Sequence, residues 1–157
     1  MPEGMKMTES AIKRIMPHDD LAEQSVIGSM LIDRDAINIA SGKLYKEDFY
    51  DKRYGILFAA MVELHDHGKS VDLVTLKSKL EEMNLPEEMV GMDFIVDTMN
   101  NTYTSANVKE YANIVSDKAV LRRLIKFSEE TINKCYNPSD SLVINCFKIL
   151  YSNIYTL

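Results

Sequence analysis

PHDDLAEQSVIGSMLID, residues 17–33, is the stretch around which the rest of the chain is read. On a helical wheel Ala22, Val26, Ile27, Met30 and Leu31 share one arc, while Ser25, Gly28 and Ser29 fall on the opposite side. The apolar arc of such a helix must be covered by other helices, and its small-residue face lets a second backbone come close. Asp20 is placed to cap the first turn, and Glu23, three residues on, to reach back and close a capping box.

The following segments read as the helices that cover it. Asp33 caps a short helix over residues 34–40, which Gly42 terminates. Asp51 opens a long one with Tyr54, Leu57, Phe58, Met61, Val62 and His65 along one flank and Gly68 as its C-terminal cap. Residues 71–76 are rich in β-formers, yet Leu73, Leu76, Leu80 and Met83 recur at helical spacing behind a capping Asp72, so the helix is preferred. Pro86 and Gly91 bracket a loop, residues 92–99 form a short helix and 100–103 a connector. Thr104 or Ser105 then caps the longest helix, to about residue 136. Its first stripe is Val108, Tyr111, Ala112, Val115 and Ala119; its second, rotated from the first, is Leu121, Leu124, Ile125, Ser128 and Ile132. A helix whose stripe shifts in this way touches two bodies, here its own head and something beyond it. Asn137-Pro138-Ser139 breaks it, and a return helix to about residue 155 completes an antiparallel hairpin. The expected fold is all-α: a flexible arm over 1–16 with a short turn from Ala11 to Met16, a helical head over 17–103 and a hairpin over 104–157.

The 157 residues suit one domain, 46% of them apolar and 27% charged. A net charge of −6 provides no global field for nucleic acid. Two cysteines, Cys135 and Cys146, form neither a disulfide framework nor a zinc signature, which fits a reducing cytoplasm. No apolar run approaches the roughly 20 residues of a membrane span, and the N-terminus lacks a signal-peptide core.

Four segments, AEQSVIGSML at 22–31, EDFYDKRYGILFAAMVEL at 47–64, VDLVTLKSKL at 71–80 and TSANVKEYANIVSDKAVLRRLI at 104–125, resemble, in order, the N-terminal domain of bacterial replicative DNA helicases of the DnaB type. The resemblance covers roughly residues 15–136. It implies a collar domain acting in DNA replication, in which hairpins pair between subunits, dimers join into a ring of six, and the head docks primase and possibly a helicase loader. It places ATP and Mg only in a separate RecA-like motor domain, before which this chain ends, so no ATP hydrolysis is expected of it. The alternative is a stand-alone regulator that co-assembles with full-length helicase. Two positions depart from the family: Tyr103 stands where proline is frequent, and residues 141–157 carry no acid and one base, Lys148, where the family usually has acids. That tail reads either as an oligomer-forming helix or as the non-native product of a shifted or truncated frame.

No catalytic, cofactor or metal residue is identified. Gly68-Lys69-Ser70 lacks the first glycine of a phosphate-binding loop, since position 63 is Glu63, and a helix rather than a strand precedes it. His18, His65 and His67 share no ligand geometry and read as solvated or capping residues. Lys118, Arg122 and Lys126, with Arg123 beside them, recur as a cationic ridge; interleaved Asp117, Glu129 and Glu130 favour a salt-bridged subunit contact or a solvated face over DNA phosphates. Phe94 sits where the resemblance implies an aromatic in contact with primase, against the plainer reading of a core plug. The candidate oligomer interface is Leu121, Leu124, Ile125, Ile132, Phe147 and Leu150.

Overall fold

The computed structural model describes residues 15–85 and 89–136. The expected arm before residue 15 and the return arm of the hairpin, with Phe147 and Leu150, lie outside the described residues. The rest is helical, with no strand among the described residues: α1 Asp20–Ile32, α2 Arg34–Ser41, a 3₁₀ turn Lys46–Asp48, α3 Lys52–Asp66, α4 Leu73–Glu82, α5 Met92–Asn100 and α6 Val108–Tyr136.

Aspartates start four of these helices for one reason: their carboxylates accept the N–H groups that a first turn leaves unpaired. Asp33, Asp51 and Asp72 do so as expected, and Asp72 adds a reciprocal bond, its own N–H donating to Thr75 Oγ1. For α1 the cap is Asp19, which accepts from Ala22 N at 2.9 Å, not Asp20. Glu23 closes no capping box there. Gly68, at φ +69°, ends α3 with its N–H on the His65 carbonyl and that of Lys69 on the Leu64 carbonyl, a Schellman closure. Those amides are the ones a phosphate loop would need free, so Gly68-Lys69-Ser70 is a helix stop. Residues 71–72 lead into α4 as a helix start, and Leu76 and Leu80 are its buried positions.

Helix α1 is the centre, packed against α2, α3, α5 and α6. Both of its faces are buried, the small one included. Ser29 tolerates this because its hydroxyl donates to the Ser25 carbonyl at 2.6 Å. What approaches Gly28 is a side chain rather than a backbone: a Cβ there would lie 1.8 Å from Thr102 Oγ1. On α3 the core takes Ala60 and Leu64 beside Leu57, Phe58 and Met61, while Val62 and His65 are only half-buried. Helix α6 begins at Val108, later than the expected caps. Thr104 instead accepts from Ala106 N, and Ser105 Oγ donates to Asp33 Oδ2 at 2.7 Å, pinning the foot of α6 to the α1–α2 corner.

Candidate partner-docking surfaces

The first four turns of α6 belong to the head. Val108, Ala112, Val115 and Ala119 are buried, and Arg122 continues the same stripe. Arg122 therefore corrects the reading of that segment as a subunit contact or solvated face: it is buried in its own chain. Its Nη1 donates to the Pro17 carbonyl at 2.7 Å and its Nη2 to the Asp48 carbonyl at 2.5 Å. Arg123 is likewise used internally, donating to Asp48 Oδ1, whose other oxygen accepts from Tyr45 N. Opposite Arg122, Glu23 is 1% exposed and accepts from Tyr50 N at 2.8 Å and Asp51 N at 3.1 Å. Burial raises its pKa above 4.5, and the two N–H groups and the Arg122 charge only partly offset that. Tyr50 also stacks on His18, ring centroids 4.0 Å apart, so His18 is neither solvated nor capping.

The sequence held a signal for this buried pair. Glu23 precedes Val26, Ile27 and Met30 by three, four and seven residues, and Arg122 follows Val115 and Ala119 by seven and three. Each charge lies in phase with an apolar stripe, where a side chain is buried whatever its polarity.

Beyond Arg122 the helix leaves the head, and its second stripe emerges. Leu121, Leu124 and Ile132 are 45%, 46% and 53% exposed and Ile125 is half-buried. Ile114, also exposed, extends the seam toward the foot of the helix. Exposed aliphatic side chains repeating along one face of a protruding helix form the kind of surface that another helix covers.

The second surface surrounds Phe94, near the start of α5. Its ring is half-buried against the edge of the core: it tilts on Tyr54 at 5.1 Å, and the Arg53 guanidinium lies 4.1 Å from its centroid. Arg53 is aimed by Asp51, Nε and Nη2 donating to the carboxylate at 3.0 and 2.6 Å. Burial would raise the Asp51 pKa; the bonds from the Arg53 side chain and N–H outweigh it and hold the carboxyl low. Behind the ring, burial raises the Tyr54 hydroxyl despite a hydrogen bond with Thr98. A flat aromatic with a fixed guanidinium on top can stack on an apolar partner group and bind an anionic one.

The remaining candidates do not converge. His65 Nε2 meets Asn38 Oδ1 and His67 Nδ1 the Glu63 carbonyl. Among the described residues no group of His, Cys, Asp or Glu is placed to hold a metal ion, and no helix is long and apolar enough to cross a membrane.

With this geometry established, residues 15–117 match the family model described as DnaB-like helicase N terminal domain. The chain belongs to that family. The replicative DNA helicase DnaC of Bacillus subtilis is 36% identical over 136 residues, and the DnaB of Geobacillus stearothermophilus 37% over 136; each match spans 87% of this chain and 30% of the relative. The DnaB-like domain thus corresponds to less than a third of those proteins. The crystal structure of the DnaB N-terminal domain from Mycobacterium tuberculosis superposes with a TM-score of 0.80 at 30% identity, covering 88% of this chain and 99% of that one. The N-terminal domain of Helicobacter pylori DnaB shares the fold at TM-score 0.64 and 16% identity, over 76% of this chain and 99% of the other. The all-α reading and the family resemblance drawn from the four segments both hold.

Proposed function

We propose that this DnaB-like domain is the assembly and docking collar of a replicative DNA helicase, acting in DNA replication by pairing with copies of itself along α6 and by binding primase around Phe94. The observation that carries the reading is the α6 seam. A helix that gives one face to the core for four turns and shows Leu121, Leu124 and Ile132 to solvent on another offers apolar surface that a second copy would bury. In the family context the pairs close into a ring of six, and a helicase loader is a further candidate partner. ATP hydrolysis and strand separation fall to the part of the relatives that this chain does not span. The Helicobacter pylori domain is described with its interactions with primase, which makes primase the partner to test at Phe94. Its ring is exposed enough to be reached, and Arg53 and Tyr54 fix it in place, so little entropy is lost on docking.

Titration of this chain with the primase of its own replication system, by calorimetry, tests the second half of the reading. Phe94→Ala is expected to weaken binding at least tenfold, about 1.4 kcal/mol, while leaving the helical circular dichroism intact. Unchanged affinity, or no binding by the unaltered chain, would remove primase docking from this surface.

A further inference from the structure

The Phe94 ring is aimed from inside the head. Two neighbours on α3 meet it, Tyr54 at 5.1 Å and the Arg53 guanidinium at 4.1 Å from its centroid. Arg53 is a long side chain, 47% exposed, so packing alone does not fix it. The Asp51 carboxylate does, taking its Nε and Nη2 and, as the cap of α3, the Arg53 N–H as well. The pose of the guanidinium is therefore set by where that carboxylate stands, and this in turn by how the chain enters α3.

The entry is held by a residue of another helix. Glu23, on α1 and almost completely buried, accepts the Tyr50 N–H at Oε1 and the Asp51 N–H at Oε2, 2.8 and 3.1 Å away. A carboxylate is the side chain that offers two such acceptors side by side, and two adjacent amides bound to it have little freedom to turn. Arg122, from α6, supplies the charge that favours a carboxylate at this depth; Asp20, on α1, is the other charged side chain that acts on it. The start of α3 has a second, independent anchor at Gly55, where an added Cβ would lie 2.5 Å from the Lys46 carbonyl oxygen. Loss of the Glu23 bonds thus loosens the direction of Asp51 without releasing α3 from the head.

We propose that Glu23 is a positioning residue of the Phe94 docking surface: by holding the amides of Tyr50 and Asp51 from within the head, it sets the Asp51 carboxylate that lays Arg53 over the ring. The proposal rests on the reading of Phe94 as the place where primase docks.

The test compares the full chain with Glu23→Gln, Arg53→Ala, their combination, and Asp72→Ala, which removes the cap of a different helix and reports lost stability alone. In calorimetric titration with primase, Glu23→Gln and Arg53→Ala are each expected to weaken binding about fivefold, and the combination no further than Arg53→Ala by itself. Asp72→Ala is expected to bind as the unaltered chain does. Phe94→Ala that weakens binding beside Glu23→Gln that does not would overturn the positioning role alone. So would full additivity in the combination, or an equal loss in Asp72→Ala. Phe94→Ala without effect would overturn the docking reading and the positioning role together. A measurement on the unaltered chain covers a Glu23→Gln variant that fails to fold. On acidification the Arg53 Nε–H resonance is expected to move with the Glu23 carboxyl carbon, whose pKa burial raises above 4.5, before the lowered Asp51 carboxyl titrates. An Arg53 resonance that moves only with Asp51 would overturn the proposal.

Discussion

From Val108 to Arg122, α6 turns its stripe inward, and Val115 and Ala119 are almost completely covered by the head. From Leu124 to Tyr136 the same helix contributes no buried residue, and Leu124 and Ile132 stand about half exposed. Composition does not separate the halves, since each mixes aliphatic residues with charges. Phase does: the inner residues recur at alternating spacings of four and three, and the outer ones are displaced onto another side of the helix. Arg122 and Arg123, adjacent at the boundary, show the consequence. One follows the inner phase and is buried among carbonyl oxygens; the other points outward and keeps half its side chain in water.

That contrast is most easily broken at Arg122. Replacing it with Ala leaves two carbonyls without their donor and Glu23 without its neighbouring charge, and about 3 kcal/mol of unfolding free energy should be lost in urea titration. Arg122→Lys should not recover it, because one ammonium cannot span both oxygens as the guanidinium fork does. Arg123→Ala, whose side chain is half exposed, should cost about 1 kcal/mol or less. Equal losses at the two arginines would refute the inner and outer assignment. Next in size, Glu23→Gln offers one acceptor oxygen where two N–H groups must be met, and about 1–3 kcal/mol should be lost. Gly28→Ala drives a methyl into Thr102 and should cost about 1–3 kcal/mol. Thr102→Ala should not fully relieve it, because Thr102 Cβ itself lies 2.6 Å from the new atom.

The pH response should divide the inner glutamate from the capping aspartates. Hydrogen bonds from Ser105 and the Asp35 N–H lower the Asp33 pKa, and bonds from the Thr75 N–H and Ser70 lower that of Asp72, each from 3.8; Asp51 is lowered as well. A lowered carboxyl contributes stability that is present above its unfolded value and lost as pH falls. The raised Glu23 works in reverse: its contribution is full below 4.5 and is lost as pH rises through its folded value. Stability measured against pH should therefore fall below about pH 4 in both wild type and Glu23→Gln, while the decline on raising pH from 4.5 should be shallower in the variant.

How much of this was legible in the sequence follows from how local each signal is. Asp33, Asp51, Asp72 and Gly68 act within a turn of themselves, and each was identified from its neighbours alone. Phase was legible too, which is why both stripes of α6 were separable. Glu23 was misread for the opposite reason. A capping box and a long-range acceptor require the same residue at the same place, and the amides it binds belong to Tyr50 and Asp51, which no local pattern connects to it. Arg122 was misread because a ridge of cations four apart resembles a surface until the stripe beneath it is followed one step further. The 3₁₀ turn at Lys46–Asp48 went unnoticed, being too short for periodicity to register. Phe94 is singled out by family resemblance alone, and the arginine that lies over it has no local signal.

The division of α6 is tested most directly by absolute mass from light scattering after size exclusion, on the chain and on Leu124→Asp, over a range of concentrations. The account predicts a multiple of 17.9 kDa for the unaltered chain. For Leu124→Asp it predicts 17.9 kDa with unchanged helical circular dichroism and a urea midpoint that no longer depends on protein concentration, because an exposed outer residue contributes under about 0.5 kcal/mol to the head itself. An unaltered chain that stays at 17.9 kDa at every concentration, or a variant that keeps the larger mass, would contradict it.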